Sequence, residues 1–107
     1  MSQLNLTYKG KTYNLEYTRR SVRTMESQGF DLNDIGTKPV TTLPALFRGA
    51  FLAHHKSLKA DLVDEMFDHL KGKDELISVL ASMYAEPFTA LLDEPTEDEE
   101  NATWAKV

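Results

Sequence analysis

The sequence contains no cysteine, and among its 107 residues it has a single tryptophan and no long apolar run. The absence of cysteine excludes a disulfide framework and a thiolate metal site. No apolar run approaches the roughly 20 residues that a membrane-spanning helix needs. The first ten residues, MSQLNLTYKG, also lack the basic and then apolar order of a secretory signal. We therefore expect a soluble intracellular protein without membrane association.

The sequence also has no excess of basic over acidic residues. The net charge is −5, from 12 basic and 17 acidic residues. Six of the acids and one of the bases lie in 93–107, so this segment carries −5 and residues 1–92 hold 11 of each sign. Proteins that bind nucleic acids present a basic patch or stripe, so we expect no nucleic acid among the partners. Low hydrophobicity and high charge predict that 93–107 is a flexible, disordered acidic tail.

Apolar and polar residues alternate at the start of the chain. Apolar residues occupy every second position from Leu4 to Tyr8 and again from Tyr13 to Tyr17, on either side of the sequence KGK. Such patterning around a glycine-containing turn predicts a β-hairpin over residues 3–17. An isolated hairpin is only marginally stable in water. Its apolar face should therefore lie against the helices or against a neighbouring subunit.

The remainder of residues 1–92 shows the three- and four-residue apolar spacing of helices. The predicted helices cover about residues 18–28, 42–56, 58–70 and 74–92. The fold class that follows is α+β and mainly α: one domain over 1–92, with an N-terminal hairpin and about four helices.

Capping residues and prolines set the expected ends of these helices. The expected N-caps are Thr18, Thr41 or Thr42, Ser57 and Asp74. Gly29 should end the first helix as its C′ glycine, and Pro44 suits the first turn of the second. Pro87 should either kink the fourth helix or divide it in two.

The second predicted helix is the most apolar stretch of the chain, and its apolar residues cover more than one stripe. A helix of this kind is buried on more than one side. The second cover could come from the chain's own helices or from another molecule. Within this helix, Gly49 either permits a close approach of a neighbouring element or is tolerated without a role. The candidate partner-binding residues are Leu43, Leu46, Phe47, Ala50 and Phe51, together with Trp104 in the acidic tail.

No residue pattern indicates a catalytic, metal or cofactor site. His54 and His55 are adjacent, so on a helix they point about 100° apart and do not easily bind one ion. Only His69 could join them, and a tetrahedral site needs more ligands than these. The acidic pairs on the third helix are more consistent with a solvated face than with an acid–base site. We expect no enzyme activity, no metal and no cofactor.

Three arginines, Arg19, Arg20 and Arg23, lie in the first turns of the first predicted helix. The helix dipole disfavours cations at this end. They are interpreted either as solvated side chains, some paired with Glu16 or Glu26, or as a basic face for an acidic partner. Another copy's acidic tail would be one such partner.

Three longer runs of sequence carry a family resemblance. They are YTRRSVRTMESQGFDLNDI, LFRGAFLAHHK and KDELISVL…YAEPFTALLDEP, which together extend from about Tyr13 to Pro95. The chain resembles a group of small siphophage and prophage proteins of Gram-positive bacteria, which are encoded between the major tail protein and the tape measure protein. These proteins are similar to phage tail assembly chaperones.

The resemblance implies a small, mainly helical binding protein. Tail assembly chaperones bind the tape measure protein, keep it soluble and help to recruit tail tube subunits. The resemblance therefore implies the tape measure protein and the major tail protein as partners. The residues themselves add a homo-oligomer, because the hairpin edge and the second predicted helix both need a partner. The expected location is the cytoplasm of the host bacterium, without incorporation into the mature virion. The alternative is a structural phage protein, such as a tail-completion or head–tail connector component.

Overall fold

A computed structural model describes residues 2–93 and 102–106 of the chain. It confirms an N-terminal hairpin followed by four helices. The disorder predicted for the acidic tail falls largely on residues outside this description. The elements in chain order are β1 (Gln3–Tyr8), β2 (Lys11–Glu16), α1 (Arg19–Ser27), a short 3-10 helix (Leu32–Gly36), α2 (Pro39–Gly49), α3 (Ala60–Asp68) and α4 (Lys73–Ala90).

A two-residue turn joins the antiparallel strands of the hairpin. Lys9 and Gly10 both have positive φ, of 49° and 80°, as a type I′ turn requires. The resulting register places Leu4 opposite Leu15 and Leu6 opposite Tyr13. Because strand residues alternate between faces, the apolar residues share the face that packs on the helices.

The two outer edges of the hairpin differ. On β2, the backbone N–H of Glu16 donates to the carbonyl of Ala50 at 3.0 Å. The N–H of Asn14 donates to Nε2 of His55 at 3.0 Å. The outward-facing backbone groups of β1 have no partner among the described residues. The segment after α2 therefore covers one edge of the sheet, while the β1 edge stays open.

The ends of α1 form as the sequence predicts. The Thr18 side chain accepts from the N–H of Ser21, and the Ser21 hydroxyl accepts from the N–H of Thr18, which completes a capping box. At the other end, Gly29 has a φ of 89°. The N–H of Phe30 donates to the carbonyl of Met25 at 3.0 Å. This is the Schellman arrangement that a C′ glycine makes possible.

The predicted bounds of α2 are wrong at both ends. The helix begins at Pro39, which needs no backbone donor in the first turn, so Thr41 and Thr42 lie inside the helix and cap nothing. Pro44 also lies inside the helix and not in its first turn. The helix ends at Gly49, and the chain continues to His55 through turns. The bonds from β2 described above hold this segment out of the helix.

The caps predicted for α3 and α4 are also wrong. The N-cap of α3 is Lys59, without a side-chain bond, and Ser57 precedes it. The N-cap of α4 is Gly72, in the left-handed region at φ 68°, so Asp74 lies in the first turn. There its charge favours the positive end of the helix dipole. The helix does not stop at Pro87, which is buried, but continues to Ala90.

One hydrophobic core joins the hairpin to all four helices. Tyr17, Phe47, Leu15, Leu46, Met66 and Leu80 are its largest fully buried side chains. The hairpin thus meets the chain's own helices, the first of the two alternatives left open by the sequence.

Candidate functional site

Most of the predicted partner-binding residues of α2 lie in the core. Leu46, Phe47 and Ala50 are fully buried, and Phe51 is 2% exposed. Leu43 is half-buried. These four side chains pack in the core, and Phe51 also lines the groove described below. Partner binding by the six predicted residues stays a prediction.

The wide apolar surface of this segment is covered by the chain itself. The ring of Phe47 lies 5.3 Å from the ring of Phe67 on α3 and 5.1 Å from that of Phe51. Phe51 in turn lies 5.9 Å from Tyr13 on the hairpin. The second packing surface that the sequence predicted for this segment is therefore provided by α3 and the hairpin.

Gly49 marks the closest approach of α1 to α2. A Cβ atom placed on Gly49 would collide with the sulfur and the terminal methyl group of Met25, which is buried. Of the two interpretations of this glycine, the structure supports the close approach. Met25 lies at the point where α1, α2 and the groove described below meet.

His54 and His55, in the segment that follows α2, link the hairpin to the helices. His54 Nε2 lies 2.7 Å from Glu16 Oε1. The N–H of Asn14 donates to His55 Nε2, so that ring nitrogen acts as an acceptor. Within residues 2–93 and 102–106, no group of three or more acidic or histidine side chains is placed to hold a metal ion.

A small polar cluster joins the hairpin turn to α3. The hydroxyl of Tyr8 donates to Glu65 Oε2 at 2.6 Å, and Lys9 Nζ lies 3.0 Å from the same oxygen. The hydrogen bond from Tyr8, followed by that from Lys9, lowers the pKa of Glu65. The same bonds to Glu65 raise the pKa of Tyr8 and of Lys9. The cluster fixes the turn to the body, and its groups are all near solvent.

A group of exposed apolar side chains lies at the end of α4. Phe88, Leu91 and Leu92 are 49%, 55% and 89% exposed. Phe88 lies in the last turn of α4, and Leu91 and Leu92 follow its last residue, Ala90. We call these three residues the α4 apolar patch. It continues a stripe that begins in the core, because the ring of Phe88 lies 5.4 Å from that of the buried Tyr84.

Basic side chains of α1 lie close to this patch. Arg19 Nη2 donates to the carbonyl of Ala90 at 3.2 Å, at a helix end where cations are favoured. Arg20 and Arg23 are exposed on the same helix. The exposed end of α4 therefore combines an apolar patch with neighbouring positive charge.

A groove of about 450 Å³ lies between the C-terminal end of α1, the 3-10 helix and α2. We call it the α1–α2 groove. Its apolar lining is contributed mainly by Met25, Ala45, Phe51, Leu52, Leu58 and Val63. Charged residues also line it: Lys38, Arg48, Lys56, Asp31 and Asp34. An apolar lining with a few charged groups is typical of a ligand or peptide site.

The sequence interpretation did not assign the α4 apolar patch to a partner. The signal was present, because the apolar spacing continues past Pro87 as far as Leu92. What the sequence does not show is which part of this stripe the chain covers. Tyr84 is buried, with its ring 5.4 Å from that of Tyr17, whereas the α4 apolar patch stays exposed.

None of the helices in the described part of the chain is both long enough and apolar enough to cross a bilayer.

Comparison with curated proteins and with solved structures found no match. A family model described as a domain of unknown function, DUF5055, matches residues 1–107. The chain belongs to the DUF5055 family.

Proposed function

We propose that this protein is a phage tail assembly chaperone, a binding protein that keeps the tape measure protein soluble and helps to recruit tail tube subunits around it. It would act in the cytoplasm of the host bacterium and leave before the virion is complete. The resemblance from Tyr13 to Pro95 supports this proposal. The structural observation that carries it is the α4 apolar patch.

The patch suits a helical client. Phe88, Leu91 and Leu92 form a short exposed apolar ridge at the end of α4. Amphipathic helices bind such ridges through side chains that recur every three and four residues. An exposed apolar cluster is also a common mark of a protein interaction site on a soluble domain. A long helical protein with apolar stripes is the kind of client that fits.

The charge around the patch supports the same role. Arg19 lies beside it, and the sequence from Asp93 to Glu100 supplies six acids directly after it. A protein that holds an apolar client in solution needs surface charge of its own, and added acidic residues favour solubility more than added basic ones. The patch and the acidic sequence are adjacent in the chain.

Co-expression with the tape measure protein of the same phage or prophage tests the proposal. The wild-type chain should raise the soluble fraction of the tape measure protein several-fold. The double variant Phe88→Asp and Leu91→Asp should lose most of that effect, because charged side chains cannot bury against the client. Val40→Asp is the matched control, since Val40 is 87% exposed on α2 and lies outside the patch.

Two results would contradict the proposal in different ways. If the wild-type chain leaves the solubility of the tape measure protein unchanged, the chaperone function is wrong. If the patch variant and the control behave alike, the function stands but the α4 apolar patch is not its site. Circular dichroism of both variants would establish that they are folded.

The second candidate is a structural phage protein in the tail-completion or head–tail connector class. The same resemblance to phage proteins supports it, and the apolar patch would then bind a neighbour in the particle. Mass spectrometry of purified virions separates the two functions. A chaperone is absent from the particle, whereas a structural component is present in fixed proportion to other tail proteins.

A further inference from the structure

The α1–α2 groove offers an apolar site that the proposed function does not use. Its volume of about 450 Å³ and its apolar lining are large enough for one aromatic side chain and its neighbours. Lys38, Arg48 and Lys56 line it on the α2 side, and Asp31 and Asp34 on the side of the 3-10 helix. The groove therefore suits an apolar side chain that is carried by a charged segment, which the charged lining residues can attract.

The chain carries such a group at its C-terminal end. Trp104 is the single tryptophan of the sequence and is 89% exposed. It follows six acids, from Asp93 to Glu100. Indole is the largest apolar side chain available for burial, and its N–H can still donate a hydrogen bond at a groove edge.

The length of chain between α4 and Trp104 is sufficient to reach the groove. Trp104 is the eleventh residue after Asp93, so the segment spans about 36 Å when extended. Arg19, in the first turn of α1, bonds to the end of α4. Gln28 and Gly29, beyond the other end of α1, line the groove. The nine residues of α1 extend about 14 Å, well within that reach.

Charge complementarity favours a path over α1. Arg19, Arg20 and Arg23 are exposed on this helix, between the end of α4 and the groove. Opposite charges near a surface attract over distances of about 10 Å at 0.1 M salt. The six acids that precede Trp104 carry the sign that these arginines attract, and no other segment of the sequence concentrates acids in this way.

We propose that the C-terminal segment around Trp104 docks in the α1–α2 groove of its own chain, with the indole against the apolar lining and the preceding acids attracted to the arginines of α1. The structure shows the two halves of this contact separately: an open groove and an exposed indole. The proposal does not require the chaperone function, because the α1–α2 groove is separate from the α4 apolar patch.

Tryptophan fluorescence tests the proposal directly, because the full chain has one indole. Docking should shift the emission of Trp104 to shorter wavelength and reduce its quenching by acrylamide several-fold relative to the same chain unfolded in urea. Arg20→Glu with Arg23→Glu should restore most of the quenching. So should 1 M salt, at which the screening length falls to about 3 Å.

Substitutions in the groove locate the contact. Ala45→Phe should fill the groove and expose Trp104 to quencher, whereas Val40→Phe, on the same helix but outside the groove, should leave it protected. If Ala45→Phe does not fold by circular dichroism, Thr41→Phe at the exposed rim of the groove takes its place.

Three results would overturn the proposal. Trp104 could be as accessible to acrylamide in the native chain as in urea. Its protection could be unaffected by filling the groove. Its protection could also increase with protein concentration, which would assign the groove to the tail of a second copy. Protection that is independent of concentration and is lost on filling the groove supports docking within one chain.

Discussion

The hydroxyl of Tyr17 donates a hydrogen bond of 2.5 Å to the backbone carbonyl of Leu46. In a longer helix that carbonyl would accept from the N–H of Ala50, which bonds to the carbonyl of Phe47 instead. A residue at the end of the hairpin thus satisfies an acceptor that the end of α2 leaves free. Burial raises the pKa of the Tyr17 hydroxyl, with a smaller contribution from Tyr84, so it stays a donor.

The change Tyr17→Phe should destabilise the fold by about 1–3 kcal/mol, because it leaves the buried Leu46 carbonyl without a donor. Urea denaturation monitored by circular dichroism measures the effect. Tyr13→Phe is the control: Tyr13 is also a buried hairpin tyrosine, but its hydroxyl makes no hydrogen bond to another described residue. If the two variants lose the same free energy of unfolding, the hydrogen bond to the Leu46 carbonyl does not contribute measurably to stability.

The contact of Gly49 with Met25 predicts a non-additive pair. Gly49→Ala should destabilise the fold, because overpacking costs about 1–3 kcal/mol and exceeds the gain of about 1 kcal/mol in helix propensity. Met25→Ala should cost about 2–5 kcal/mol through the cavity that it leaves. In the double variant the added methyl group occupies part of that cavity, so the free energies should differ from additivity by about 0.5–3 kcal/mol. Strict additivity would mean that the two residues do not contact each other in solution.

Two aspartate substitutions separate the core from the α4 apolar patch. Phe47→Asp should abolish folding, because loss of the ring alone costs about 3–5 kcal/mol and the buried charge adds to it, within a total stability of about 5–15 kcal/mol. Phe88→Asp should cost about 1 kcal/mol or less, as is usual at an exposed position. Thermal denaturation compares the two. A folded Phe47→Asp protein would contradict the burial of the Phe47 ring.

Protonation of Glu65 should contribute to the loss of stability at acidic pH. Its pKa is lowered in the folded chain by the bonds from Tyr8 and Lys9. The stabilisation is therefore complete above the unfolded pKa, about 4.3 for glutamate, and is lost as the pH falls through the lower folded value. Glu65→Gln should reduce the difference in unfolding free energy between pH 7 and pH 3.

The control for that measurement is Asp68→Asn at the C-terminal end of α3, because the Asp68 carboxylate makes no hydrogen bond or ion pair with another described residue. It should change the difference between the two pH values less than Glu65→Gln does. If the two variants show the same pH dependence, the Tyr8–Lys9–Glu65 cluster does not contribute to stability.

The features that the sequence predicted correctly are those that depend on nearby residues. The hairpin follows from alternation around Gly10, and the ends of α1 follow from Thr18 and Gly29. The end of α2 was missed because it is set by Glu16 and Tyr17, which are far away in the chain. The apolar spacing of residues 50–54 is helical, but the carbonyl of Ala50 accepts a hydrogen bond from Glu16 on the hairpin.

The candidate site was harder to predict than the fold, for a related reason. Phe47 and Phe88 both look like apolar residues on one side of a helix, and only the tertiary structure decides which one is covered. Phe47 is fully buried, with its ring 5.3 Å from that of Phe67 on α3, whereas Phe88 is 49% exposed. Whether such a residue is exposed depends on which elements pack against it.

The unequal edges of the hairpin limit how copies of the chain can aggregate. Growth of a β-filament requires each added copy to bring a fresh strand edge. Here the segment from Ala50 to His55 blocks β2, so pairing of two copies through β1 would consume the open edge of each. A third copy would find no strand to extend within the described structure. The turns after α2 therefore prevent a β-sheet from growing through successive copies of the chain.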